Sequence, residues 1–178
     1  MTQFILLLYY TFIVKYFQTM FSNNEKLIIY VIANRLWCSI TEIMKLCYLI
    51  DLWGLKKLHK QITDFSYIRY TYWPFDQKIY DQVNVLVKKW ILKYVCYAIP
   101  SGDEVCKYEL QDNFAMDFNF PNEEKTFIDE MLNSLSSFNA FELTKLAYQT
   151  KPMKDLWATL GWNQHIWDKL KLEVVMDE

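Results

Sequence analysis

The order of apolar and polar residues predicts a chain built mainly from amphipathic helices. Ser22 and Glu25 form a capping-box pattern directly before an apolar run, and Ser39 and Glu42 repeat it. The first pattern predicts a helix over 23–36, whose buried stripe would consist of Ile28, Val31, Ile32 and Leu36. The second opens a helix whose core face would consist of Ile43, Leu46, Cys47, Ile50 and Trp53. Two helices joined by a short turn also resemble the start of a helix-turn-helix.

The pattern changes after Lys57. Residues 65–72 are rich in aromatic and β-branched side chains, which predicts a short strand or extended segment. Pro74 ends this segment because it lacks a backbone donor. Asp76 is a favourable N-cap and predicts a helix over 77–90. Its inward face would consist of Ile79, Val83, Leu86, Val87 and Trp90.

A β-hairpin is predicted over roughly 91–110. Pro100-Ser101-Gly102 reads as a type I turn followed by a left-handed glycine, which is a three-residue hairpin loop. That loop fixes the register, and like residues then face each other across the strands. The predicted pairs are Leu92 with Leu110, Tyr94 with Tyr108, Cys96 with Cys106, and Lys93 with Glu109.

The C-terminal third returns to a helical pattern. A helix is predicted over 123–136, a second follows the Asn139 cap to about Tyr148, and a third begins near Pro152 and ends at Gly161. The pattern does not place the tail, 162–178. The sequence therefore predicts a mainly α fold with a small β-hairpin, an α+β domain with a helix-turn-helix-like start and a two-stranded wing. A single domain would span 22–178.

Residues 1–21 form an apolar N-terminal extension. Phe4–Val14 is almost unbroken apolar sequence, yet eleven helical residues span only about 16 Å, well short of a bilayer core. A secretory signal would need a basic start and a small-residue cleavage site, and both are missing. Three interpretations stay open: an extra packed helix, a helix that contacts a membrane or partner, and sequence translated upstream of a start at Met20.

Composition narrows the function classes. The chain has 178 residues, 53% hydrophobic and 18% aromatic, which excludes a disordered protein. The net charge is −2 without a long basic run, which argues against nucleic acid as the partner. The four cysteines match no zinc-site spacing, so no metal or cofactor is expected. Reduced thiols in the cytoplasm are the expectation, although the hairpin register makes a bond between Cys96 and Cys106 geometrically conceivable.

Catalytic motifs are missing from the sequence, so an enzyme is not expected. His59 and His165 are expected to be structural or solvated. Asp51 lies within an apolar helix and needs a partner, which Arg69 or Lys45 on neighbouring elements could supply. An ion pair that holds the fold is favoured over a catalytic acid. The aromatic stretch 67–80 suits either a core or an interface.

Two helices and the segment between them carry a recognisable motif order. Lys45, Leu46, Tyr48, Leu49 and Asp51 form K-L-x-Y-L-x-D. Ile62, Thr63, Tyr67, Arg69 and Tyr70 form I-T-x-x-x-Y-x-R-Y, and Pro74 precedes Ile79, Tyr80 and Asp81. This order resembles the Panacea domain, or SocA-like domain, of antitoxins in bacterial and phage toxin–antitoxin systems, over roughly 25–160. Trp73 stands where that family usually has glycine.

The resemblance implies a non-enzymatic protein that binds a cognate toxin directly and neutralises it, in some members as an adaptor that delivers the toxin to a protease complex. It marks Lys45, Tyr48, Asp51, Tyr67 and Tyr80 as family-motif residues. The residues expected to face the partner are Arg69, Tyr72, Trp73 and Pro74. The main alternative is a winged-helix transcriptional regulator that binds DNA. A membrane-linked adaptor is a third hypothesis, which rests on residues 4–14 alone.

Overall fold

The computed structural model describes residues 21–70, 74–99, 102–112, 114, 118–156 and 167–173. Its helices are α1 (Asn23–Arg35), α2 (Ile40–Leu58), α3 (Gln77–Lys88), α4 (Asn122–Ser134), α5 (Ala140–Gln149) and α6 (Lys151–Asp155). Its strands are β1 (Ile68–Arg69), β2 (Pro74–Phe75), β3 (Leu92–Ala98) and β4 (Glu104–Leu110). The predicted mainly α fold with a small β-hairpin is confirmed. The apolar extension before Phe21, and the end of the last predicted helix at Gly161, lie outside the described residues.

Helix α2 is the centre of the fold. It packs against α1, α4, α5 and β2, and most of its residues are buried. Both predicted capping boxes are present, at Ser22 with Glu25 and at Ser39 with Glu42. Each box satisfies backbone N–H groups that would otherwise lack partners at the start of a helix. The local sequence therefore fixes where α1 and α2 begin.

Three residues predicted to face inward are corrected. Leu36 is 83% exposed, because α1 ends at Arg35 and Leu36 takes a positive φ of 65° just after it. Trp90 is 80% exposed, because α3 ends at Lys88 and Trp90 takes a positive φ of 58° in the turn that follows. Trp53 is 36% exposed and lines a cavity of about 740 Å³ between α2 and α5–α6. Helical spacing predicted the side of α2 on which Trp53 lies, but not how far α5 and α6 would cover it.

The hairpin of β3 and β4 has the predicted register. Leu92, Tyr94 and Cys96 pair with Leu110, Tyr108 and Cys106. The Ile99 N–H donates to the Asp103 carbonyl at 2.9 Å, and Gly102 has a φ of 90°, which glycine adopts without strain. Cys96 and Cys106 are joined by a disulfide. The expectation of reduced thiols is therefore corrected for this pair.

The segment predicted as a short strand or extended stretch is described over 65–70. Within these described residues, Ile68 and Arg69 form a short strand, which pairs antiparallel with Pro74 and Phe75. The remaining described backbone of this segment is held by other elements, including residues 167–170 near the C-terminus. The described part of the chain contains no helix long and apolar enough to span a membrane.

Candidate functional site

The buried carboxylate of Asp51 fixes the segment that follows α2. It accepts hydrogen bonds from the backbone N–H groups of Ile62 at 3.0 Å and Thr63 at 2.9 Å. The hydroxyls of Thr63 and Tyr67 donate to it at 2.5 and 2.8 Å, and the Gln61 side chain donates at 3.3 Å. Five bonds from one segment converge on one side chain. Asp51 therefore anchors residues 61–67 against α2.

The predicted ion pair of Asp51 with Arg69 or Lys45 is not found among the described residues. The donors to Asp51 are neutral, since they are backbone amides, hydroxyls and an amide side chain. Burial raises the pKa of Asp51 to about 6, although the bonds from Thr63 and Tyr67 oppose this shift. A buried carboxylate can be stabilised by hydrogen bonds as well as by a cation. The arrangement is typical of a structural carboxylate that holds a loop against a helix.

Tyr48 extends this network to the second half of the chain. Its ring lies 5.2 Å from the Tyr67 ring in an edge-to-face arrangement. Its hydroxyl and the Thr150 hydroxyl are 2.7 Å apart and hydrogen-bonded. Because Thr150 lies between α5 and α6, the pair ties α2 to both. Three of the motif residues, Tyr48, Asp51 and Tyr67, thus form one buried cluster.

Lys45 is the fourth motif residue on or near α2, and its side chain is also fully buried. Burial lowers the pKa of Lys45 to about 8, and the nearby Glu42 carboxylate opposes this shift. Glu42 itself belongs to the capping box at Ser39. The motif lysine is therefore part of the interior, near the start of α2.

The structure places Arg69 inside the protein. Its side chain is fully buried. Its backbone N–H donates to the Asp168 carbonyl at 2.8 Å, and its carbonyl accepts from the Trp167 N–H at 2.7 Å. The Leu170 N–H donates to the Tyr67 carbonyl at 2.9 Å. The expectation of an exposed Arg69 is thereby corrected, since its side chain is buried and its backbone is paired with a C-terminal segment. Its role towards a partner stays a prediction.

The other residues expected to face a partner divide into two groups. Pro74 is buried in β2, opposite Arg69. Tyr72 and Trp73 lie outside the described residues. The described residues on either side, in β1 and β2, pair with each other in a short antiparallel ladder. Partner contact through Tyr72, Trp73 and Pro74 stays a prediction.

Four aromatic side chains beside this segment form a contiguous surface, which we call the aromatic strip: Trp167, Tyr70, Phe75 and Tyr80. The Tyr70 ring lies 5.0 Å from Trp167 and 5.2 Å from Phe75, and Phe75 lies 5.7 Å from Tyr80. Trp167 is 62% exposed, and the other three are half-buried. Aromatic side chains that combine packing with exposure are enriched at protein interfaces.

The aromatic residues of 67–80 indicated a core or an interface, but the sequence did not predict that Trp167 would join them in the strip. That residue comes almost a hundred positions after Tyr70, in the tail that the pattern did not place. It reaches the strip because residues 167–170 bond to the backbone of Tyr67 and Arg69. A long-range backbone pairing of this kind leaves no signal in local hydrophobic periodicity.

Comparison with known proteins identifies one family. The model of the family described as "Antitoxin SocA-like, Panacea domain" matches residues 43–153, which is more than half of the chain. The matched region includes the Asp51 network, the strands β1 and β2, and the hairpin. No curated protein and no solved structure matches the chain significantly.

Proposed function

Because this chain belongs to the SocA-like antitoxin family defined by the Panacea domain, we propose that it binds a cognate toxin protein directly and neutralises it. The observation that carries the proposal is the aromatic strip. It combines residues from β2, α3, the segment after β1 and the C-terminal segment into one partly exposed surface. Two of its residues, Tyr70 and Phe75, come shortly before and after Tyr72 and Trp73 in the sequence.

The buried network supports this role by making the surface rigid. Asp51 fixes residues 61–67, and the backbone of Tyr67 and Arg69 fixes residues 167–170 in turn. A surface that is already ordered loses less conformational entropy when it binds. The buried family-motif residues Tyr48, Asp51 and Tyr67 would thus act as positioning residues. The strip, which includes the motif residue Tyr80, and residues 72–74 would contact the toxin.

The winged-helix alternative fits the structure less well. A recognition helix must offer polar side chains that reach base edges in the major groove. Helix α2 is enclosed by four other elements, and the side chain of Lys45 is fully buried. A helix in that position belongs to the protein core and does not present a recognition surface to DNA.

A growth assay tests the proposal. The gene adjacent to this one is induced with and without co-expression of this chain. Toxicity that this protein relieves is the expected result, whereas a harmless neighbour or unrelieved toxicity would overturn the proposal. The amount of toxin during rescue separates two routes, because an adaptor for a protease lowers that amount and direct neutralisation leaves it unchanged.

Two variants then test the surface. Trp73→Ala and Trp167→Ala are expected to reduce rescue, because each removes a large aromatic side chain from the proposed contact. Phe141→Ala is the matched control, since Phe141 is 60% exposed, close to Trp167, but lies on α5 outside the strip. Equal rescue by all three variants would exclude the strip as the contact surface. Arg69 is a poor probe because its removal would disturb the interior.

A further inference from the structure

The outer edge of β3 carries backbone groups that point away from the hairpin. The Ile99 N–H donates to Asp103, and the Gln111 N–H donates to the Ile91 carbonyl. Because hydrogen-bonded pairs alternate in an antiparallel ladder, the odd-numbered residues of β3 face β4. The N–H and C=O groups of Tyr94, Cys96 and Ala98 therefore face outward. Within the part of the chain that the structure describes, no backbone group pairs with them.

The opposite edge of the hairpin is partly covered. Cys38, in the link between α1 and α2, exchanges two backbone hydrogen bonds with Tyr108 on β4, at 2.9 and 2.7 Å. By the same alternation, the backbone N–H and C=O of Tyr108 should point away from β3. The hydrogen bonds with Cys38 show that they do, which supports the orientation deduced for β3. An uninterrupted ladder of three residues is thus available on β3.

This edge lacks the features that usually prevent edge-to-edge pairing. Natural edge strands are protected by charged side chains, proline or bulges. Residues 94–99, which include most of β3, contain neither a charged side chain nor a proline. Tyr94 is 54% exposed and Tyr97 is 39% exposed, on opposite faces of the strand. The disulfide between Cys96 and Cys106 links β3 covalently to β4.

The aromatic strip ends on a helix that packs against the hairpin. Tyr80, at the end of the strip, lies on α3, and α3 contacts β3. The hairpin itself carries a further aromatic pair, since the rings of Tyr94 and Tyr108 lie 4.9 Å apart. The open edge and the strip therefore lie on neighbouring elements.

We propose that an extended segment of the toxin pairs with the edge of β3 as an added strand. This inference rests on the proposed function and specifies how the two proteins make contact. Such strand addition obtains affinity from main-chain hydrogen bonds and specificity from alternate side chains. Because the edge is uncharged and has an exposed tyrosine on each face, the segment it accepts is uncharged, with β-branched or aromatic residues on both faces. The adjacent strip then contacts the body of the toxin.

Ala98 offers a selective test. Its N–H points outward, so Ala98→Pro removes one edge donor without removing a hydrogen bond of the hairpin. Tyr97, which precedes it, is already extended, as a residue before proline prefers. Ala98→Val is the matched control because it keeps the N–H and suits a strand. Binding of the purified product of the adjacent gene is measured by calorimetry, and circular dichroism confirms the fold of each variant.

Ala98→Pro is expected to weaken binding by about tenfold or more, the effect of roughly one lost hydrogen bond plus the bulk of the ring, and Ala98→Val by less than about twofold. Equal binding by the two variants, with wild type binding, would overturn strand addition and leave the antitoxin proposal intact. Failure of the wild type to bind would overturn both.

Amide exchange provides a measurement that needs no variant. The amides of Tyr94, Cys96 and Ala98 are expected to exchange more slowly in the complex than in the free chain, because a new strand would accept their hydrogen bonds. Unchanged exchange at these amides in the complex would overturn the inference even if Ala98→Pro failed to fold. A wild-type dimer that Ala98→Pro converts to a monomer would also overturn it, since a second copy would then occupy the edge.

Discussion

The hydroxyl of Tyr67 donates a 2.8 Å hydrogen bond to the carboxylate of Asp51, and both side chains are buried. This bond joins the centre of α2 to the segment that leads into β1. A hydroxyl that bonds to a buried charged group contributes more than one that bonds to a neutral group. The pair is therefore a sensitive point in the stability of the domain.

Tyr67→Phe is expected to lower the free energy of unfolding by about 1–3 kcal/mol, because Asp51 loses a donor that water cannot replace. Urea denaturation measures the change. Tyr94→Phe is the control, since it removes a hydroxyl from an exposed ring and should change stability by less than about 0.5 kcal/mol. Similar values for the two variants would show that the buried bond is not important for stability.

Asp51 should make stability depend on pH. Burial raises the pKa of Asp51 from 3.8 to about 6, so between these values the folded state binds a proton that the unfolded state has released. The contribution of Asp51 to the free energy of unfolding is therefore fully present below about pH 4. It is lost as the pH rises through about 6. A shift of this size corresponds to about 3 kcal/mol.

Asp51→Asn isolates this effect because the amide does not titrate. The stability advantage of the wild type over Asp51→Asn is expected to be larger at pH 4 than at pH 7. Denaturation of both proteins at the two pH values measures the difference. An advantage that grows towards pH 7 would mean that the hydrogen bonds from Thr63 and Tyr67 outweigh burial and lower the pKa of Asp51.

The disulfide in the hairpin should stabilise the fold. It links residues ten positions apart, and closing a loop of that length in the unfolded chain is worth roughly 2–3 kcal/mol. Reduction with dithiothreitol is expected to lower the free energy of unfolding by about that amount. The double variant Cys96→Ser, Cys106→Ser should show the same loss and no further response to the reductant. A response in the double variant would assign the effect elsewhere.

Leu36 offers a stabilising substitution. It has a φ of 65° and a ψ of −36° at the end of α1, and its side chain is 83% exposed. A positive φ strains a residue with a Cβ atom, whereas glycine adopts it freely. Leu36→Gly is therefore expected to raise the free energy of unfolding by about 1 kcal/mol, measured by thermal or urea denaturation. Leu36→Ala keeps the Cβ atom and should give no gain; equal gains would point away from backbone strain.

Local sequence determined much of this fold because the responsible interactions span only a few residues. The capping boxes at Ser22 and Ser39 fixed the starts of α1 and α2, and Asp76 and Asn139 fixed those of α3 and α5. The loop that ends at Gly102 determined the register of β3 and β4. The motif order from Lys45 to Asp81 indicated the family that the comparison then matched.

Tertiary structure alone decided which side chains the surface offers. The local pattern could not show that residues 167–170 pair with the backbone of Tyr67 and Arg69, or that Trp167 lies beside Tyr70. Those contacts join distant parts of the chain. It suggested a cation for Asp51, whereas the fold supplies backbone amides and hydroxyls from residues 61–67. Periodicity specifies the side of an element on which a residue lies, and only packing specifies what covers that side.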